Sequence, residues 1–313
     1  MSARGGAVSS GQEPRAADPL IAPRQFADLA EPAAEPALAR ATGFADRAAL
    51  AAQLEALAFR GWPALRAQPL DGWVLRDSAG ATRRGNSVWT CGEVADVAMA
   101  IGEAERFYAR AGRPSTFQLT PVSRPVGLGL ALDAAGYDGD SGPTDVCVAD
   151  LAALVTSAAG ITQGTAVRTR QDDAPDQTWL DVGAAGGMSM FGPYRSASVA
   201  ILSKVALPVV YVTATLDGRP VGVGRGVLDG EWLGVYSMAT LPAARGRGAA
   251  TAVLAALARW SAGLGARRAY LQVEEHSVAA RRLYAALGFL PVYRYTYRRR
   301  PAAPATPAQA TST

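Results

Sequence analysis

Between Leu241 and Ala250 the chain reads Leu-Pro-Ala-Ala-Arg-Gly-Arg-Gly-Ala-Ala. Gly246 and Gly248 let the backbone turn sharply and approach a ligand with no Cβ in the way. Behind them Val253, Leu254, Leu257 and Trp260 recur at helical spacing, which predicts an amphipathic helix over 249–262. The first amides of such a helix have no partner inside it. Together with the helix dipole they form a site for an anion, phosphate above all. Arg245 and Arg247 add charged donors at the same mouth. Two other phosphate-binding turns do not fit. The stretch has no Gly-Lys-Ser/Thr, so it is not a P-loop. Thr251 stands where a dinucleotide fingerprint needs its third glycine, and the residues from Leu241 to Arg245 hold the glycines too far from the strand for that tight turn.

The elements that must position this loop are legible on both sides. Val209–Leu216, Val221–Leu228 and Glu231–Thr240 are β-rich runs separated by Asp217-Gly218 and Asp229-Gly230, the pattern of an antiparallel meander. After the helix come a strand at 269–274, a helix at 278–287 ending at Gly288, and a last strand in which Tyr293, Tyr295 and Tyr297 alternate with polar residues. Upstream, Asp46 caps a predicted helix through Arg60. Strands at 72–77 and 82–90, a helix at 94–111, a strand at 115–119, a helix near 126–135 and a strand near 144–149 follow. A repeat links the halves. Gly112, Phe117-Gln118-Leu119 and Leu132-Asp133-Ala134-Ala135-Gly136-Tyr137 correspond in order to Gly265, Leu271-Gln272-Val273 and Tyr284-Ala285-Ala286-Leu287-Gly288-Phe289. One α/β unit is present twice.

The loop resembles the coenzyme A pyrophosphate loop of the GNAT N-acetyltransferase superfamily, R/Q-x-x-G-x-G/A, here Arg245, Gly248 and Ala250. Downstream, Ser277 through Phe289 is similar to that family's N-x-x-A-x-x-L-Y-x-x-L-G-F segment. The resemblance covers roughly 160–300. It implies an α/β (α+β) fold of tandem lobes, each a mixed, mostly antiparallel sheet flanked by helices. It implies acetyl-CoA as co-substrate, no metal, and an amine-bearing acceptor: a small molecule, a peptide or a protein. By position, the strand end Met238, Ala239, Thr240 is implied to meet the pantetheine arm. Arg245, Gly246, Arg247, Gly248, Ala249, Ala250 and Thr251 are implied to hold the pyrophosphate. Tyr284 is implied to protonate the departing thiolate, and a backbone amide such as that of Met238 to meet the oxyanion. Ser277 replaces the family's Asn, either as a helix cap or as a cofactor contact. For the base, the strand carboxylates Glu231, Glu274 and Glu275 are the candidates. His276 reads as a surface residue more readily than as a base, and Tyr236 as an aromatic packed on the sheet, with a place in a water chain near the reaction centre as the alternative.

The first lobe lacks these parts. Trp89-Thr90-Cys91-Gly92-Glu93 precedes its helix without an Arg or paired glycines, and Leu132 matches Tyr284. It is therefore expected to build a substrate wall without catalysing, with Arg83-Arg84-Gly85-Asn86-Ser87-Val88 either a solvated hairpin or, as the alternative, a substrate or cofactor contact. The expected layout is a disordered arm over 1–43, a degenerate lobe over 44–151, a catalytic lobe over 160–300 and a disordered tail over 301–313.

Composition narrows the classes further. The net charge of +4 allows an anionic ligand without arguing for nucleic acid. A single His leaves no room for a His-rich metal site, and the two Cys have no C-x-x-C spacing. No apolar run is long enough to span a membrane and no apolar leader is seen; with no disulfide framework, a reducing cytoplasm is expected, and the chain is expected as a monomer or homodimer. With neither Cys in the C-terminal lobe, direct transfer to a primary amine is expected. The alternative from another class is an acyl-CoA-binding regulatory module without turnover.

Overall fold

The computed structural model describes residues 32–300. Eleven strands form one sheet. The first half runs α1 (Glu35–Thr42), α2 (Arg47–Gly61), β1 (Arg66–Leu70), β2 (Trp73–Asp77), β3 (Val88–Trp89), α3 (Val97–Arg110), β4 (Ser115–Leu119), α4 (Leu128–Ala134) and β5 (Asp138–Asp150). The second runs α5 (Leu151–Thr162), β6 (Arg168–Asp172), α6 (Gln177–Ala185), α7 (Arg195–Ser203), β7 (Val209–Leu216), β8 (Arg219–Asp229), β9 (Trp232–Thr240), α8 (Ala249–Gly263), β10 (Arg268–Glu274), α9 (Val278–Ala286) and β11 (Leu290–Arg300).

The repeat is real in three dimensions. Gly112, Gly136, Gly265 and Gly288 all have positive φ, at 62°, 78°, 92° and 88°. Only residues without a Cβ adopt that conformation freely, so each ends its helix. In both halves two antiparallel strands are followed by a helix and a strand parallel to the second of them: β3 with β4, and β9 with β10. The final strands are exchanged. The sheet order is β1-β2-β3-β4-β11-β5-β10-β9-β8-β7-β6. Strand β5 leaves the first half to pair with β10, and β11 crosses back to pair with β4. Each also pairs with the other, and at 13 and 11 residues they are long enough to satisfy two neighbours.

Alternation along the strands sends side chains to two cores on opposite faces. One face carries Tyr211, Tyr236, Tyr270, Tyr293 and Tyr295 against α2, α6 and α7. The other carries Val210, Val235, Leu271 and Val273 against α5, α8 and Tyr284 of α9. A third core joins Trp73, Val88, Phe117 and Leu132 to α3 in the first half.

Several expectations change. The arm predicted over 1–43 is ordered where it is described: α1 buries Leu38, ends on Gly43 at φ 76°, and is tied by Ala33 N–H to Pro291 O at 2.8 Å. Residues 1–31 and the tail expected over 301–313 lie outside the described residues. The strand expected at 82–90 shrinks to Val88–Trp89 because Asn86 Oδ1 accepts from Ser78 N–H and Gly80 N–H, folding 78–86 into a turn. Strand β1 escaped reading because it is an exposed edge strand with Pro69 in it and no hydrophobic alternation. Helices α5, α6 and α7 also went unread, although Asp150 and Asp176 cap the first two through 2.8 and 2.7 Å bonds to Ala153 N–H and Trp179 N–H. No helix among the described residues is long and apolar enough to cross a membrane.

Candidate functional site

Strands β9 and β10 pair in parallel only from Trp232/Arg268 to Val235/Leu271. Beyond that point they diverge. The divergence coincides with a bulge on β9: between the pairs Val223/Ala239 and Arg225/Tyr236, one residue on β8, Gly224, opposes two on β9, Ser237 and Met238. Ser237 takes up the extra length in the left-handed region at φ 51°. Such strain in a non-glycine residue persists only where the surroundings enforce it, and it clusters at functional sites. From Ser237 to Thr240 one edge of β9 has no strand partner, so its amides and carbonyls face the gap. Ser237 Oγ is buried there without a partner.

The gap opens a cavity of about 650 Å³ through the sheet. Its lining draws on both cores. Val235, Met238, Leu271, Val273, Ala280 and Tyr284 come from the α8/α9 face. Tyr236, Tyr270, Tyr295, Tyr297, Trp62 and Met190 come from the other. Thus two ligands can meet at the splay from opposite sides of the sheet.

Beside the cavity, the Leu241–Ala250 stretch folds as the sequence predicts. Gly246 and Gly248 have φ of 73° and 83°, and Gly248 is the residue before the first turn of α8. No side chain caps that turn. This sets α8 apart from α2, α3, α5 and α6, each capped by an Asp carboxylate on its own amides. A cap carboxylate fills the place an incoming phosphate would take; the first turn of α8 is left without one, as are those of α1, α4, α7 and α9. Asp96 fills that place on α3 by accepting from Met99 N–H at 2.9 Å. Thr251 is buried under the turn, while Arg245 and Arg247 are exposed. Arg247 pairs with Asp217 at 2.9 Å, and Arg245 Nε lies 3.5 Å from Thr240 O. A Cβ on Gly248 would stand 3.4 Å from Thr165 Cγ2.

Tyr284 is buried on α9 and lines the cavity, its ring edge-on to Phe289 at 5.8 Å. Its hydroxyl makes no hydrogen bond among the described residues. Burial, and then the Cys147 thiol nearby, push its pKa above the ordinary value, so it holds its proton at neutral pH. Ser277 lines the cavity and its hydroxyl caps nothing, which removes the helix-cap reading.

Of the three carboxylates, the structure brings one to the cavity. Glu274 lines it, paired with Arg83 at 2.7 Å and with His276 Nε2 at 3.2 Å. Glu231 sits at the opposite end of β9, paired with Arg267 and Arg268 at 3.2 Å each. The six residues from there to the bulge span roughly 20 Å of strand, so Glu231 is withdrawn as a base. Glu275 is held by Arg294 at 2.6 Å. His276 is a surface residue.

Two further corrections come from the strand exchange and the first half. Cys147, read as belonging to the first lobe, lies on β5 opposite Leu271 and in the same core as Tyr284. A thiol is therefore close to Tyr284. It is buried, and burial followed by the Asp145 charge pushes its pKa up to about 12, which keeps it protonated and poorly nucleophilic. Arg83 and Arg84, read as a solvated hairpin with a ligand contact as the alternative, both line the cavity. The sequence also missed a tyrosine pair. Tyr236 and Tyr270 hydroxyls are 2.5 Å apart. Gly61 ends α2 directly against this pair, where a Cβ would stand 2.2 Å from Tyr236 Oη. Behind it, buried Arg225 donates to Gly61 O at 2.7 Å and lies over the Trp62 and Tyr236 rings at 4.9 and 4.8 Å.

Comparison with known proteins agrees with this geometry. A family model described as "Probable histone acetyltransferase Rv0428c C-terminal" matches residues 49–298. The uncharacterized N-acetyltransferase YobR of Bacillus subtilis (strain 168) is 30% identical over 249 residues, covering 79% of this chain and 97% of YobR. A GCN5-related N-acetyltransferase from Kribbella flavida superposes with a TM-score of 0.59 at 18% identity, over 81% of this chain and 96% of that one. A tandem GNAT protein from the clavulanic acid biosynthesis pathway superposes with a TM-score of 0.52 at 15% identity, over 67% and 70%. At those identities the two structures establish the fold alone.

Proposed function

From the premise that this chain belongs to the GNAT N-acetyltransferase superfamily, in the family of the Rv0428c C-terminal region, we propose that it transfers an acetyl group from acetyl-CoA directly to a primary amine. The observation that carries the proposal is the splay of β9 from β10 at the Ser237 bulge, next to the uncapped first turn of α8. Relatives of this chain are N-acetyltransferases, which supports acetyl transfer in general.

In this reading the amides from Gly248 to Thr251 receive the pyrophosphate, with Arg245 and Arg247 beside them. The free edge Met238–Thr240 pairs with the amide-bearing pantetheine arm as an added strand would. Ser277 contacts the same arm. The amine enters from the tyrosine face. Glu274 takes a proton from the ammonium, directly or through a water. The amine nitrogen bonds to the thioester carbon, and the Met238 amide, turned by the bulge, receives the developing oxyanion. The carbon–sulfur bond then breaks, the thiolate sulfur takes the Tyr284 proton, and the second proton that the nitrogen sheds passes through water to restore the Tyr284 hydroxyl. The protonated state of Cys147 supports transfer without an acyl-enzyme.

The matched family's description names a histone acetyltransferase, so a protein lysine is one acceptor class to test. Thiol release from acetyl-CoA over a panel of small amines and lysine peptides tests the proposal, alongside calorimetry of acetyl-CoA. Binding without thiol release or acetylated product from any amine would leave an acyl-CoA-binding module instead. With Asp96 closing the equivalent turn of the first half, one acetyl-CoA is expected per chain.

A further inference from the structure

On the tyrosine face of the cavity the polar atoms are unbalanced. Arg84 lines it beside Tyr236, Tyr295 and Tyr297. Its Nε is buried with no acceptor, and no carboxylate lies within ion-pair distance of it among the described residues. Gln272, on the adjacent wall, accepts from Tyr295 Oη at 3.1 Å through Oε1, while its Nε2 is buried with no acceptor. A buried donor left unmade is costly, more so when charged, so two in one cavity mark a place for an acceptor group. Buried Glu55 feels the Arg84 charge but makes no ion pair with it. Glu55 already accepts from Tyr293 Oη at 2.6 Å and Gln118 Nε2 at 3.3 Å. Arg83, the neighbouring cation, is occupied by Glu274.

We propose that the acceptor amine also carries a carboxylate, which Arg84 and Gln272 receive while the amine faces the splay. This rests on the acetyl-transfer reading above and names its substrate class. A guanidinium matches a planar carboxylate through paired N–H donors, and it is worth most where water is excluded. Trp62, Met188, Met190 and the tyrosines supply apolar surface beside these donors, interleaved with the hydroxyls of Thr82, Thr144 and Ser189. The fitting acceptor is therefore an amino acid or a similar small zwitterion. A lysine-rich protein tail fits poorly, because it would bring further cations to Arg83 and Arg84 and leave the two donors empty.

The experiment uses matched pairs that differ only in the carboxylate. Free N-acetyl-amino acids with aromatic, thioether and aliphatic side chains, and the corresponding N-acetylamines, are titrated into the CoA complex of the full chain. Thiol release with the parent amino acids and amines is measured in parallel. At least one acid should bind tenfold or more tightly than its amine partner, and kcat/KM should follow. Arg84→Gln should erase that preference and Arg84→Lys restore part of it, with the acetyl-CoA Kd unchanged in both. Equal binding within every pair, no binding of any acid, or a preference that survives Arg84→Gln would overturn the proposal. Failure of acetyl transfer as a whole would register separately, as absent acetyl-CoA binding or absent thiol release with every amine, lysine peptides included.

Discussion

Cys147 on β5 stands in register with Leu271 on β10, although the two belong to different copies of the repeated unit. Through that pairing the first half supplies the strand on which the second half's cavity and helix α9 rest. In return β11 completes the first half by pairing Thr296–Arg300 with β4. The halves are two copies of one motif that cannot close their sheets alone.

Separating them should therefore fail. A fragment of residues 163–300 would leave the edges of β10 and β11 bare where β5 had paired, and exposed edges of that length aggregate. Expressed alone it should be insoluble or unfolded by circular dichroism. Co-expressed with residues 1–162, it should be recovered as a complex that binds acetyl-CoA. A soluble, folded 163–300 fragment would contradict the role given to β5.

Gly248→Asp should remove the anion site. The side chain enters at φ 83°, costing about 1–2 kcal/mol of backbone strain, and puts a carboxylate before the amides of α8. Calorimetry should register at least a hundredfold weaker acetyl-CoA binding, with the far-ultraviolet spectrum kept and the Tm a few degrees lower. Unchanged affinity would move the pyrophosphate elsewhere.

Tyr284→Phe keeps the ring against Phe289 and deletes the proton donor. We expect kcat to fall by about 10²–10⁴-fold at nearly constant acetyl-CoA Kd. Since the Tyr284 pKa is raised, the hydroxyl stays protonated across the working range. The wild-type rate should accordingly rise as the amine loses its proton, with no falling limb before pH 10. A variant within threefold of wild type at every pH would remove Tyr284 from the mechanism.

Cys147→Ala should leave kcat within threefold, because a thiol with its pKa pushed up to about 12 has almost no thiolate to offer. The cost should be in stability, about 1 kcal/mol for a small buried side chain. Loss of turnover with the fold intact, or an acetylated Cys147 trapped by mass spectrometry, would point to a covalent route.

Glu55 provides a pH test of the core that carries Tyr293. Burial raises its pKa against the opposing hydrogen bond from Tyr293, so the folded protein favours the protonated form more than the unfolded chain does. That stability is fully present below the unfolded value, near 4.3, and is lost as pH rises toward the folded one. Glu55→Gln cannot ionise. The difference between wild-type and variant Tm should shrink, or turn negative, from pH 4 to pH 8. A difference that grows with pH would reverse the sign of the shift.

The sequence by itself determined the parts whose information is local. The meander, the Gly246/Gly248 turn into α8, the helix with Tyr284 and the repeated glycine stops were all legible. Each rests on nearest-neighbour chemistry: Asp-Gly turns, helical spacing and residues free to take positive φ. Tertiary structure decided what depends on distant pairing. Nothing local says that β5 pairs with β10, so Cys147 was assigned to the wrong neighbourhood. Nothing local separates Glu231 from Glu274, although pairing direction puts them at opposite ends of the sheet. Arg84 reads as surface in a polar run. It becomes a cavity residue because Asn86 folds residues 78–86 inward and the exchanged β11 carries Tyr295 and Tyr297 beside it. Sequence order records which strand follows which, whereas a sheet is ordered by edge-to-edge hydrogen bonding, and here the two orders part at β5 and β11.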